Sequence, residues 1–447
     1  MRSEETGAQE TSAALSKVRI AMIRWMLWVL CLSPSVGQAS WPQFRGPWGT
    51  GVVPDSADGK QAVVPLHWSE SENVAWKCAI PHSGLSTPVV MNGKVWLTTA
   101  TVEGHEAFVI CVDANSGNML LNRRLFHTED PEPLGNKVNG YASPSPVAEA
   151  DRVYVSFGST GTACLDAETH EVLWTRRDLP CRHYRGPGSS PVLFGDLLIL
   201  TMDGVDLQYL VALDKKTGQT VWKTDRSADW DDLDAQGNPQ KEGDLRKAYS
   251  TPLVIEVEGR PQMVSAGAKA AYGYDPATGR ELWKVRHRDH SSSASPVFGQ
   301  GMVYVCTGFS KSELLAIRLG GLDDVTDTHV AWRTRRAVPR MPSPLLVGDH
   351  LYTLADQGTL SCLDAKTGRE IWMHRPQGSF AASLLYAQGR IYCFNKKGVT
   401  TVLKEGSQLQ VLAENKLDGG FMASPAVAEG ALFLRTKTHL YRIESAR

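Results

Sequence analysis

No sign of charge dominates this chain of 447 residues: 47 Lys and Arg stand against 48 Asp and Glu, a net charge of −1. Nucleic acid and anionic membrane both require a concentrated basic surface, so neither is expected as the main partner. The sequence also lacks adjacent cysteines and any Cys-x-x-Cys, which leaves no haem-attachment motif. No apolar run approaches the ~20 residues that cross a bilayer, so no transmembrane span is expected in the mature chain. Beyond the N-terminus no helical periodicity competes with short apolar runs. What is present is the composition of a soluble globular protein, 42% hydrophobic and 21% charged, long enough for three ordinary domains or one large architecture. Forty Gly and 24 Pro punctuate the apolar runs, and 13 Trp recur at regular places.

The N-terminus reads as a processing signal. Residues 1–20 are polar, and the apolar run Trp25 to Leu32 follows Lys17, Arg19 and Arg24. Gly37 and Ala39 supply the small −3 and −1 residues before Ser40, so residues 1–39 are expected to be a signal peptide with a polar extension. The mature chain is then exported, to the periplasm or cell envelope. Its seven cysteines (Cys78, Cys111, Cys164, Cys181, Cys306, Cys362 and Cys393) lie mostly in apolar runs and read as small buried hydrophobes. An odd number argues against a complete disulfide framework.

An internal repeat fills the rest. Each unit opens on Ser or Thr before Pro, seven residues ahead of the centre of an apolar run. The heads are Thr87-Pro88, Ser145-Pro146, Ser190-Pro191, Thr251-Pro252, Ser295-Pro296, Ser343-Pro344, Ser383-Leu384 and Ser424-Pro425, spaced 40 to 61 residues apart. The second half of a unit reads Asp-x-x-Thr-Gly-x-x-x-Trp, as in Asp214 to Trp222, Asp275 to Trp283 and Asp364 to Trp372; Asp166 to Trp174 has His170 at the Gly place. The first unit has Leu121 in the Trp place, and the fifth loses the turn but keeps Val330-Ala331-Trp332. Asp and Thr brace a turn through backbone amides, and Gly takes its φ > 0 position. Pro at the head of a strand removes no ladder bond.

Each unit is therefore four short antiparallel strands, and eight such units make an all-β, eight-bladed β-propeller. The eighth unit, from Ser424, supplies only three strands, while Asn73-Val74-Ala75-Trp76-Lys77 supplies the missing one. An N-terminal strand is thus expected to close the last blade and remove the exposed edges. Residues 73–443 form the propeller in this reading, and residues 40–72 pack on it. Trp76, Trp174, Trp222, Trp283, Trp332 and Trp372 are read as structural, covering neighbouring sheets.

These units resemble the tryptophan-docking repeats of propellers of the pyrroloquinoline-quinone (PQQ) type. That superfamily holds the quinoprotein alcohol dehydrogenases and the propeller lipoprotein of the outer-membrane barrel-assembly machine. The opening Trp41-Pro42-Gln43-Phe44-Arg45-Gly46-Pro47 is similar to exported PQQ-like repeat proteins of planctomycete-type bacteria. For the dehydrogenases the resemblance implies a quinone on the axis, stacked between a Trp and a vicinal disulfide, with Ca²⁺ held by acids. This chain has no Cys-Cys pair to form that cap. The expectation is a monomeric, non-catalytic propeller that binds a protein, a peptide or a small ligand, with envelope protein assembly as its setting. No cofactor is expected; a PQQ- and Ca²⁺-dependent oxidoreductase is the alternative.

The loops ahead of the unit heads converge on one mouth of the channel. They offer Tyr141, His183, Arg185, Lys247, Tyr249, Arg340, Phe380 and Phe421 as candidate ligand-binding residues, suited to an anionic or aromatic ligand or a peptide. No catalytic residue is nominated: Ser189-Ser190-Pro191 is an ordinary unit head, and an all-β chain provides no nucleophile elbow. Asp232 and Asp234 mimic part of a calcium loop, but Gly243 stands where the bidentate acid belongs. A solvated acidic loop is the expectation there, with no metal.

Overall fold

The computed structural model describes residues 40–54, 64–135 and 138–445. The signal-peptide reading of residues 1–39 lies outside the described residues. The chain divides at Gln38, and everything below concerns the unit from Ala39 onward.

Eight antiparallel sheets follow one another along the chain, each ordered from the innermost strand outward. Blade 1 is built of Val89–Met91, Lys94–Ala100, Glu106–Asp113 and Met119–His127. Blade 3 repeats the plan with Val192–Phe194, Leu197–Asp203, Gln208–Asp214 and Thr220–Asp225. Blade 8 takes Ala426–Ala428, Ala431–Arg435 and His439–Ile443 from the C-terminal end, and Val74–Ala79 pairs outside them. The innermost strands of blades 8 and 1 touch, so the ring is closed by the N-terminal strand. This is the eight-bladed, all-β propeller of the repeat.

The second strands carry the core. Val153-Tyr154-Val155, Leu198-Ile199-Leu200 and Val303-Tyr304-Val305 are buried on both faces, because each blade is packed between two others. The fourth strand of all eight blades shifts register beside the Trp position, and that of blade 1 shifts a second time between Ala107 and Phe108. A bulge there twists the strand and re-aims the ring. Small residues stand opposite: Cys164 pairs with Trp174, Ala212 with Trp222, Ala316 with Trp332 and Cys362 with Trp372. All seven described cysteines are free, and all but the half-buried Cys78 are buried.

Five of the six repeat tryptophans reach the next blade. The indole N–H of Trp76 donates to Ala114 O at 3.0 Å, Trp174 to Lys215 O at 3.0 Å and Trp222 to Pro276 O at 3.2 Å. Trp332 donates to Ala365 O at 3.1 Å and Trp372 to Gly406 O at 3.0 Å. Trp283 is different. Blade 5 has no Asp-Thr-Gly turn; Asp323–Asp324 instead runs parallel to Glu281–Arg286 as a fifth strand of blade 4, followed by one helical turn, Thr326–His329. With no neighbouring turn to cover, Trp283 bonds Gln262 Oε1 at 3.0 Å and lies on Gly273 of its own sheet. The junction of blades 1 and 2 loses both partners together. Leu121 replaces the Trp, and His170, at φ 64°, replaces the Gly and turns its ring edge-on to Trp96.

The Ser/Thr-Pro heads form a chain of buried hydrogen bonds around the axis. Thr87 N donates to Ser145 Oγ, Ser145 N to Ser190 Oγ and Ser190 N to Thr251 Oγ1, each at 2.9 Å. Ser295 N donates to Ser343 Oγ, Ser343 N to Ser383 Oγ and Ser383 N to Ser424 Oγ, at 2.9 to 3.0 Å. Between blades 8 and 1, buried Arg435 reaches Ser86 O and Oγ. Between blades 4 and 5 the pattern changes: Ser250 Oγ donates to Ala294 O at 3.0 Å, and Ser295 Oγ is buried without a partner.

Residues 41–53 cross the channel. Trp41 exchanges both backbone bonds with Val90 of blade 1, and Pro42 O accepts Ala148 N of blade 2. Arg45 Nη2 donates to Thr50 O and to Pro344 O of blade 6, both at 2.6 Å, and Val53 N donates to Tyr386 O of blade 7. Arg45 is 1% exposed, and burial pushes its pKa down to about 9. Residues 64–72 continue to the rim of blades 7 and 8, where Trp68 N donates to Asn415 Oδ1 and Glu70 pairs with Lys77.

Candidate functional site

The loops that enter the innermost strands share one end of the channel with the loops joining second to third strands, because strands in each meander alternate in direction. Polar contacts link these loops into a continuous arc. Tyr141 Oη donates to Glu132 O at 2.8 Å, and the same loop bonds the next through Gly135 N to Tyr184 O at 2.7 Å. Arg185 lies over the Tyr184 ring and 3.5 Å from Asp244 Oδ1. Lys247 Nζ donates to Asp244 O at 2.7 Å and also to the Asp244 carboxylate. Ser291 N donates to Lys247 O and Phe309 N to His290 O. The Arg340 guanidinium is 4.6 Å from the Phe309 ring centre, and Arg340 N donates to Asp356 Oδ2 at 2.8 Å.

The electrostatics follow from burial. Desolvation opposes the Asp244 charge, but the Lys247 hydrogen bond and the charges of Lys247 and Arg185 hold its carboxyl below the usual range. Desolvation also lowers the Lys247 ammonium, against the pull of Asp244. His183 is buried, accepts Ser159 N at Nε2 (3.2 Å) and packs against Gly158; burial pushes it down to about 4. Burial raises Tyr249, whose hydroxyl has no partner, and raises Asp356 despite two backbone amides.

The eight nominated residues therefore divide. Tyr141, Arg185, Lys247, Tyr249 and Arg340 stand along the arc, and His183 is buried beside it. Phe380 and Phe421 are taken up by the core, each 1% exposed. Isolated bridges, Phe380 with Asn395 and Phe421 with Thr436, turn both rings inward. Asp232 and Asp234 do not converge. Asp232 is buried in a two-pronged pair with Arg246, so this part of the loop is not solvated as expected, and Asp234 Oδ1 accepts Gln236 N and Asn238 N of its own turn. Among the described residues, no three His, Cys, Asp or Glu side chains come together as a metal site.

Three features escaped the sequence. Phe309, 55% exposed, carries Arg340 on its face. Asp203 and Arg226 form a buried two-pronged pair at 2.7 and 3.0 Å, with the guanidinium 4.9 Å from the Tyr272 ring centre. The channel-crossing segment is the third. A hydropathy or repeat signal marks none of them, since each depends on contacts between blades: Arg226 also reaches Ser265 and Tyr272 of blade 4.

Comparison with known proteins follows the same lines. The family described as outer membrane protein assembly factor BamB matches residues 28–228 and again 208–446. The BamB of Burkholderia pseudomallei is 25% identical over 279 residues, 53% of this chain and 70% of that protein. The BamB of Marinobacter adhaerens is 25% identical over 178 residues, 38% of this chain; the match spans only 41% of that protein's length. Among solved structures, BamB from Moraxella catarrhalis superposes with a TM-score of 0.56 at 13% identity, over 83% of this chain and 99% of that one. Quinohemoprotein alcohol dehydrogenase from Comamonas testosteroni gives 0.65 at 12% identity, over 92% and 81%. At such identities the structures share the fold alone. The sequence match, running through both halves of the propeller, shows that the chain belongs to the family of outer membrane protein assembly factor BamB.

Proposed function

We propose that this protein is a non-catalytic interaction propeller of the cell envelope that acts in outer-membrane protein assembly by binding another protein at the rim of its channel. The observation that carries this reading is the arc from Tyr184 to Arg340. Arg185, Phe309 and Arg340 stand on it as side chains of the kind that anchor protein interfaces, while the polar groups beneath are held by their neighbours. Such a rim is rigid and sticky rather than reactive. The family match and the names of the relatives point the same way.

The residues do not make a quinone cradle. Of the four rings offered to stack on it, Phe380 and Phe421 are in the core, and Tyr141 is held by Glu132 O; Lys247 is engaged by Asp244, and Asp232 by Arg246. No step is assigned to a quinone or to Ca²⁺. Two measurements test the reading. A photo-reactive amino acid at 185 or 340 should cross-link to an envelope protein in cells, and one at the hairpin residue Gln300, on the opposite face, should not. Isothermal titration with PQQ and Ca²⁺ should give no heat of binding; stoichiometric binding lost in Arg185→Ala would instead favour the oxidoreductase.

A further inference from the structure

Past Arg340 the rim continues without a break. Asp356, whose carboxylate accepts Arg340 N and Met341 N, offers its carbonyl to Phe380 N at 2.8 Å. Ser379 O accepts Lys396 N at 2.8 Å, and Asn395 O accepts Phe421 N, whose residue bridges to Thr436. Backbone bonds thus tie the mouth loops of blades 5 to 8 into one row. Lys311, Arg340, Arg375, Lys396, Lys397 and Lys437 stand along it, all exposed or half-buried. None of the six is in ion-pair contact with a carboxylate of the described residues. The acids of the same loops are withdrawn. Asp289 is buried and bonds Ser310 N, Glu313 is buried against Arg335, and Asp356 holds the two amides; only Asp418 is exposed.

The opposite half of the mouth has the other sign. Glu103, Glu129, Asp130, Asp206, Asp229 and Asp231 are exposed on the loops of blades 1 to 4. A net charge of −1 therefore conceals a separation of charge across one face. Like charges held along a fixed row repel one another, and a partner of opposite sign relieves that repulsion.

We infer that the half-mouth from Phe309 to Lys437 docks an acidic segment of a protein, with carboxylates along the cations and one apolar side chain on Phe309. The inference deepens the interaction reading above and rests on it. Phe309, with Arg340 on its face, is the anchor, and the lysines steer the segment and fix its direction. An anionic membrane fits less well. A lipid surface is extended and would press on both halves of the mouth, where the acidic loops of blades 1 to 4 would be repelled. A protein segment can keep to one half.

The test follows the fluorescence anisotropy of a labelled peptide of Glu with one central Phe, titrated with the whole mature protein. Saturable binding that weakens steeply with added salt is expected, and the same peptide with Lys for Glu should not bind. Lys397→Glu with Lys437→Glu should weaken binding about tenfold, as reversal of two exposed charges does. Phe309→Ala should weaken it too, and Asp229→Lys with Asp231→Lys should not. All these side chains are exposed, so each variant should melt with the wild type. No binding of the Glu peptide, equal binding of the Lys peptide, or full binding by the Lys397 and Lys437 double variant overturns the inference. So does capture of phosphatidylglycerol vesicles in place of the peptide. A cross-link from 340 in cells without peptide binding overturns this inference alone and leaves the interaction reading standing.

Discussion

Trp222 lies on Gly279 of the next blade: a Cβ at Gly279 would fall 2.5 Å from the indole ring. The same turn offers Pro276 O to the indole N–H. The Gly of the repeat therefore answers two demands, a left-handed turn and room for its neighbour's Trp. Trp222→Ala is expected to cost about 3–5 kcal/mol, the range for truncating a buried aromatic. Urea unfolding with an unchanged midpoint would remove the docking role.

Gly259 and Gly279 separate the two demands, since both have φ of 74° but nothing lies within 4 Å of a Cβ at Gly259. Gly259→Ala should cost about 1–2 kcal/mol from backbone strain alone. Gly279→Ala should cost clearly more, because the Trp222 ring must also move. Equal losses in denaturant unfolding would show that φ alone selects the glycine.

The hydroxyl chain makes a similar contrast. Ser190 Oγ accepts Ser145 N, so Ser190→Ala strands a buried amide and should cost about 1–3 kcal/mol. Ser295→Ala removes a buried hydroxyl that bonds nothing and should be neutral or stabilising. Calorimetric melting of the two variants side by side checks the difference.

Stability should fall as pH drops from neutral. An unfolded His183 or His287 takes up a proton near pH 6.5, whereas burial holds each to about 4 in the folded chain. Between those values the unfolded state binds more protons, so stability is full above the unfolded pKa and is lost as pH falls through the window. Each histidine contributes up to about 3 kcal/mol. His183→Gln should flatten the slope of urea midpoint against pH over that window; an unchanged slope contradicts a neutral, buried His183.

Much of the fold was legible in the sequence, and for a physical reason. The Asp214-to-Trp222 spacing encodes a turn and a strand within nine residues, and the incomplete eighth unit advertised its missing strand at Val74–Ala79. What was not legible spans blades. Trp283 turns back because of what the next blade lacks. The hydroxyl chain joins residues 40 to 61 apart. Phe380 and Phe421 belong to entry loops, yet a single bridge turns each inward, which loop position cannot reveal.

Removing residues 40–79 takes away both the outer strand of blade 8 and the segment that crosses the channel. The shortened chain is expected to lose cooperative melting and to aggregate, since blades 7 and 8 lose the Trp41 and Trp68 packing as well. A soluble chain with one sharp transition would show that closure does not depend on this strand.

The central claim is met most directly in cells. Depleting the protein in its own host and measuring folded β-barrel protein in the outer membrane should show a fall. Wild-type protein should restore it, and a chain with Arg185→Glu, Phe309→Ala and Arg340→Glu should not, although that chain folds. Unchanged barrel levels, with dye-linked alcohol oxidation lost instead, would contradict the account.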